Sequence, residues 1–293
     1  MPRPIVLVLI SLVVMALAPS PAGASFATQP DRILFMRDPG TGYTAIFAMD
    51  PDGGRVKQLT AGQQGYDADA RWSPDGRAIV FASTRDGDSE IFRMGRDGRK
   101  LRKLTRNQDS DRQPSWSSDG SRIAFISDRH GQSDLYTMAS DGTRVRRVTR
   151  DEDPEFLTAW SPDGRRILFG AQVDGNYEIF SIRPDGTGRR NLTRSMGGDL
   201  LGDPSPDGSR IVFHSTRLGG DSRIWTMAPD GSDTQQVTAH EGDQYFPFWL
   251  PSGKRIIFQE VRGGNQEIFS IRPDGTGLRR LTRNDVSDFL VWD

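Results

Sequence analysis

The chain runs to 293 residues with no cysteine, 38 basic against 39 acidic side chains, 32 glycines and 18 prolines. Without cysteine there is no disulfide framework, no thiolate metal site and no cysteine nucleophile, and a formal charge of -1 offers no overall attraction to a nucleic-acid backbone. A hydrophobic fraction of 35%, with 15 Phe and 6 Trp, is enough for a packed core and excludes wholesale disorder.

Residues 1–24 read as a secretory signal peptide. Arg3 supplies the positive end, residues 5–18 are apolar apart from Ser11, and Ala22-Gly23-Ala24 is a small-x-small cleavage site. That apolar run falls short of the ~20 residues a membrane-spanning helix needs. The mature chain is therefore expected to be residues 25–293, exported to the periplasm or the medium, with no transmembrane segment and no cysteine to carry a lipid.

The remainder is one unit written six times. Trp72-Ser73-Pro74-Asp75-Gly76 returns at Trp116, Trp160, Pro204 and Trp249, at steps of 44, 44, 44 and 45 residues. Phe35, Phe81, Phe125, Phe169, Phe213 and Phe258 each end an aliphatic triplet, and Thr60, Thr105, Thr149, Thr193, Thr238 and Thr282 each follow Leu or Val. Within a copy, runs of about five aromatic and β-branched residues bounded by Gly, Pro or Asp predict four short strands. Ser-Pro-Asp-Gly turns the first strand into the second, and an Asp-Gly pair turns the third into the fourth. A four-stranded antiparallel sheet repeated at this period is a propeller blade. The expected fold is thus all-β, a six-bladed β-propeller. Copy one, starting near Arg32, lacks its first strand, and residues 288–293 are expected to supply it and close the ring.

These four signatures resemble the blade pattern of the TolB-like β-propellers, the WD40-like TolB repeat family, over the whole of residues 25–293. The resemblance covers the propeller alone, without the N-terminal α/β domain that accompanies it in TolB. It implies an envelope protein that binds other proteins or peptides; some related propellers are lyases.

Residues that carry chemistry are sparse. No Gly-x-Ser-x-Gly elbow and no phosphate-binding Gly-x-x-x-x-Gly-Lys loop occurs, and His130, His214 and His240 fall in different copies. Carboxylates do recur before the first strand of each copy, and propeller topology gathers the loops that hold them at one mouth of the central channel. The candidate binding set is Asp67, Asp111, Asp151, Asp153, Glu155, Phe156, Asp199, Asp243, Tyr245, Phe246, Asp288 and Phe289, an acidic mouth with an aromatic rim. Such oxygens also suit a hard cation, so Ca²⁺ is a possible ligand. The opposite face is expected to be basic through Arg96, Arg99, Lys100, Arg102, Lys103, Arg144, Arg146, Arg147, Arg183, Arg189, Arg190, Arg272, Arg279 and Arg280. The sequence thus points to a monomeric, non-enzymatic scaffold that binds a protein or peptide at the acidic mouth, and not to a nucleic-acid binder. The alternative is a propeller enzyme, a lyase or metal-assisted hydrolase acting on polysaccharide or peptide, which requires a convergent polar cluster in the channel.

Overall fold

A computed structural model describes residues 32–262, 264–283 and 287–290; residues 1–24, expected to be a signal peptide, Asp285 and Trp292 lie outside them. The described residues form 23 strands in six antiparallel sheets, with no helix among them. Blade one holds β1 (Ile33–Arg37), β2 (Ala45–Met49) and β3 (Lys57–Gln58); blade two, β4 (Asp67–Trp72), β5 (Ala78–Ser83), β6 (Glu90–Gly95) and β7 (Arg102–Lys103). Blade three is β8 (Asp111–Trp116), β9 (Arg122–Ser127), β10 (Asp134–Ala139) and β11 (Arg146–Arg147); blade four, β12 (Glu155–Trp160), β13 (Ile167–Val173), β14 (Asn176–Ile182) and β15 (Arg190–Asn191). Blade five is β16 (Asp199–Pro204), β17 (Ile211–Ser215), β18 (Arg223–Met227) and β19 (Gln235–Gln236); blade six, β20 (Gln244–Trp249), β21 (Ile256–Arg262), β22 (Asn265–Ile271) and β23 (Arg279–Arg280). The first strands β4, β8, β12, β16 and β20 adjoin one another around the axis, and each two-residue fourth strand is outermost in its sheet.

Each recurring residue has a physical task. The six Phe of the second strands are at most 1% exposed, and five of them stack on an aromatic ring of the third strand, with centroids 5.5 to 5.9 Å apart. The six Thr hydroxyls accept the backbone N–H of Ile46, Ile91, Leu135, Ile179, Ile224 and Ile268 at 2.8 to 3.0 Å. They satisfy the third strand where the short fourth strand no longer reaches it. In the Ser-x-Asp-Gly turns the Ser hydroxyl donates to the Asp carboxylate at 2.6 Å in four blades.

Blade packing leaves no room for a side chain at the second hairpin. A Cβ on Gly53, Gly98, Gly142, Gly186, Gly231 or Gly275 would lie 2.2 to 2.8 Å from a backbone carbonyl oxygen of the preceding blade, and all six glycines have φ of 80 to 91°. For Gly53 that oxygen belongs to Leu281 of blade six, so the contact runs unbroken around the ring. Gly231→Ala is expected to cost on the order of 3 kcal/mol, left-handed strain and backbone overlap combined. Gly219→Ala, also left-handed but in open space, is expected to cost about 1 kcal/mol. Equal shifts of the two urea midpoints would contradict the packing argument.

Closure at the chain ends follows the expected route. Met36 and Phe289 exchange both backbone hydrogen bonds, at 2.8 and 2.9 Å. Asp288 takes the Arg37 guanidinium, and Leu290 is buried among Ile33, Phe35 and Ala45 of blade one and Leu250, Ile257 and Ile268 of blade six.

Candidate functional site

The loops between blades and the loops joining second to third strands meet at one face. Asp67 N–H donates to Thr44 O, Asp111 N–H to Ser89 O and Asp288 N–H to Gln266 O. The sequence-derived candidates gather here, but most of the carboxylates point inward. Asp67, Asp111, Asp199 and Asp288 are 0 to 2% exposed, and each holds an arginine that follows the second strand: Arg85, Arg129, Arg217 and Arg37. Those guanidinium groups lie over the stacked core rings, 4.9 to 5.6 Å from the centroids. The carboxylate, the guanidinium and the ring form one strut in each of these four blades.

Blade four lacks that arginine and solves the problem differently. Glu155 accepts from Leu135 N–H at 2.8 Å and from the Thr149 hydroxyl. Burial pushes its pKa up to about 8, with the nearby Asp151 carboxylate adding to the rise. Asp151 and Asp153 pair with Arg189, whose guanidinium stacks on Phe180 at 4.3 Å. Asp243 accepts the Ser222 N–H at 2.9 Å.

The expected basic face is correspondingly smaller. Lys103, Arg147 and Arg280 reach Glu90, Asp134 and Glu267 at the loop-side ends of the third strands, and Arg189 joins the acidic loops. Lys103, Arg147 and Arg280 are spent inside the blades, because a side chain on a two-residue outer strand finds a buried carboxylate of the same sheet.

The aromatic members are half-buried. Phe156 meets Tyr177 edge-on at 5.4 Å and lies where a Cβ on Gly170 would be; Tyr245 and Phe246 pack on His214. Exposed on this face are Tyr43, Tyr66, Tyr177, Leu218, Val261 and, fully so, Met196, interspersed with exposed Asp86, Asp109, Glu152, Asp174, Asp221 and Glu241.

A second feature, in the channel, escaped the sequence reading. A cavity of about 190 Å³ is lined by Trp72, Trp116, Trp160, Trp249 and the turn prolines, with Arg32, Arg71, Ser115, Thr158 and Asp203 as its polar members. Arg71 and Asp203 occupy the same position of repeats three blades apart, and so face each other across a six-fold ring. Arg71 stacks on Phe248 at 4.3 Å. Burial holds its pKa below the usual arginine value, against the pull of Asp69 and Asp203; burial pushes Asp203 up to about 7, against Arg71 and the Trp249 N–H.

All five complete first strands carry a bulge at this depth. The bulges link blade to blade, with Gln113 N–H donating to Asp69 Oδ2 at 3.1 Å and Leu157 N–H to Gln113 Oε1 at 2.8 Å. Asp69, Gln113, Leu157 and Phe246 take φ of 49 to 54° there.

The three histidines stay apart. His130 pairs with the Tyr136 hydroxyl and His240 with Glu260 at 2.8 Å. His214 is buried, which lowers its pKa to about 3, and it accepts the Phe246 N–H at 3.4 Å. Among the described residues no group of three or more His, Asp or Glu side chains is placed to hold a metal ion, and no helix is long and apolar enough to cross a membrane.

Glu155 and Asp203 make a pH prediction with a definite sign. Both are acids whose neutral form the fold prefers, so their effect on stability is absent below about pH 4. Stability then falls as pH rises toward about 8, because the unfolded chain ionises first. Thermal midpoints of the wild type should decline between pH 5 and 8.5, and Glu155→Gln with Asp203→Asn should flatten that decline. An unchanged slope in the double variant would contradict the assignment.

Comparison with known proteins agrees with this architecture. The TolB beta propeller domain model matches residues 64–156 and 151–289. Among solved structures, TolB from Acinetobacter baumannii superposes with a TM-score of 0.79 at 19% identity over 91% of this chain, which spans 66% of that protein. A TolB-type protein from Agrobacterium tumefaciens gives 0.70 at 24% identity over 78% of this chain and 84% of its own. An oligogalacturonate lyase in complex with manganese gives 0.64 at 14% identity, over 89% and 77% of the two chains. At these identities the superpositions establish the fold alone, and with the domain match across most of the six repeats they make this chain a member of the TolB β-propeller family.

Proposed function

We propose that the protein is an exported, monomeric, non-enzymatic propeller that binds a protein or peptide on its loop-rich face. The observation that carries this reading is the mixture exposed there: three tyrosines, Met196 and Leu218 among six carboxylates. Tyrosine offers large contact area at low entropic cost, and surrounding acids steer a basic or mixed partner. Export rests on residues 1–24, and Ca²⁺ belongs to this reading only as a ligand of the same carboxylate loops.

Photo-crosslinking in the producing cell tests the face directly. A benzophenone side chain at Tyr66, Tyr177 or Met196 should give discrete higher-mass adducts, and one at Val56, Leu101 or Val145 on the opposite hairpins should not. Adducts from the hairpin positions alone would contradict the assignment.

A second reading has its own observation. The opposed Arg71 and Asp203, with a carboxyl titrating near 7 in a tryptophan-lined cavity, are the convergent polar pair that a channel enzyme acting on polysaccharide or peptide requires. Loss of an activity on oligosaccharide or peptide in Asp203→Asn, with crosslinking unchanged, would favour it.

A further inference from the structure

The six repeats serve as controls for one another at the residue that precedes or opens the second strand. It is Arg32, Arg122, Arg166, Arg210 and Arg255 in blades one, three, four, five and six, and Ala78 in blade two. In blade one Arg32 pairs with Asp50 at 3.4 Å. In blade five Arg210 pairs with Asp233, on the second hairpin, and also takes its carbonyl at 2.9 Å. In blade three Arg122 lies 4.8 Å over Trp160.

Blades four and six remove those partners and substitute cations. Where blade one has Asp50 they have Arg183 and Arg272; where blade five has Asp233 they have Gly188 and Gly277; and Arg190 and Arg279 open their outer strands. The inner arginine is held by neutral acceptors alone, in nearly identical geometry. Arg166 donates to Ser181 Oγ, Ser181 O and Gly188 O at 3.0, 2.9 and 2.5 Å. Arg255 donates to Ser270 Oγ, Ser270 O and Gly277 O at 3.1, 2.9 and 2.5 Å.

Two guanidinium groups flank one point in each blade. The place a Cβ would take on Gly188 is 2.9 Å from Arg183 Nη1 and 3.9 Å from Arg166 Nη1; on Gly277 it is 3.2 Å from Arg272 Nη1 and 3.6 Å from Arg255 Nη1. Burial, then the two neighbouring arginines, hold Arg166 and Arg255 below the usual arginine pKa, with Asp163 opposing the shift at Arg166. The nearby carboxylates sit in the turns and close no ion pair with these arginines among the described residues, although Asp185 and Asp274 feel Arg183 and Arg272 at longer range. Asp185 and Asp274 accept from the N–H and hydroxyl of Thr187 and Thr276, and Asp163 accepts from Ser161 and Arg165. The blade-six counterpart of Asp163 is Ser252, which carries no charge.

We propose that Arg166, Arg183 and Arg190, and likewise Arg255, Arg272 and Arg279, form twin binding sites for a phosphate-type oxyanion, free or on a lipid headgroup, on the hairpin face. Planar guanidinium forks presented from a half-buried and two exposed arginines match tetrahedral oxyanions. The anion fills the place that Asp50 and Asp233 fill in blades one and five.

Calorimetric titration of the mature protein with inorganic phosphate, at fixed low ionic strength, tests this. Wild type should bind two equivalents. Gly188→Asp with Gly277→Asp restores the internal carboxylate at a φ that Asp233 already adopts, and should weaken binding at least ten-fold without lowering the phosphate-free thermal midpoint. Arg183→Gln with Arg272→Gln, at exposed positions, should do the same and carries the test should the glycine variant fail to fold. Arg99→Ala, Lys100→Ala and Arg144→Ala together should stay within two-fold of wild type. Wild-type affinity in the glycine and arginine variants, or an equal loss in the control, would overturn the proposal. Sedimentation with phosphatidylglycerol vesicles against phosphatidylcholine vesicles separates the sources: capture by the former, lost in the variants, assigns a headgroup, and phosphate binding without capture assigns a free phosphoryl compound.

Discussion

Deleting residues 288–293 should destabilise the protein by about 3 to 5 kcal/mol and lower its thermal midpoint in one cooperative step. The deletion removes buried Leu290, the paired backbone bonds between Phe289 and Met36, and the carboxylate that holds Arg37. Loss of a buried leucine alone costs about 2 to 5 kcal/mol. The effect should not stay local, because Leu290 sits where blades one and six meet. Trp292, expected from the sequence to pack there too, lies outside the described residues. An unchanged midpoint after the deletion would mean the ring does not depend on its C-terminal closure.

Asp111→Ala should be almost as costly, on the order of 3 kcal/mol or more. Asp111 is fully buried and accepts Arg129 Nη2 at 2.8 and 2.9 Å and Asn107 Nδ2 at 2.7 Å. Removing one partner of such a pair leaves a cation with little water to replace it. Glu152→Ala or Glu241→Ala, exposed on the same face, should change stability by less than about 0.5 kcal/mol. Urea denaturation compares the three. If Asp111→Ala were as mild as the other two, the carboxylates at the strand starts would be surface groups after all.

The fold was legible because its determinants recur at a fixed step. Phe81, Thr105 and Gly98 each do one job per blade, and a job repeated six times is visible as periodicity. The carboxylates were harder. Asp67, Asp111 and Asp199 recur as regularly as the core Phe, and proximity to loops suggested a binding surface. Their partners Arg85, Arg129 and Arg217 stand a constant 18 residues later, a spacing that marks an internal pair and could have been read from the chain. Asp288 and Arg37 break the count because the ring closes between them and because Arg37 stands two residues after its core Phe, where the other arginines stand four. Arg71 and Asp203 were hidden for the opposite reason: each occurs once, and their opposition emerges only when six blades are bent into a circle and the first strands face the axis.

The account stands on the loop-rich face being the one that binds. The direct measurement is the association rate of the crosslinked partner, at low and at physiological salt, for two charge-reversed proteins. One carries Glu152→Lys, Asp174→Lys and Glu241→Lys on the loop face; the other carries Arg99→Glu, Lys100→Glu and Arg144→Glu on the hairpin face. The loop-face variant should associate at least ten-fold more slowly than wild type at low salt, with the difference shrinking as the ~8 Å screening length of physiological buffer is reached. The hairpin-face variant should stay within two-fold. The reverse ranking, or equal indifference to both sets, would contradict the account.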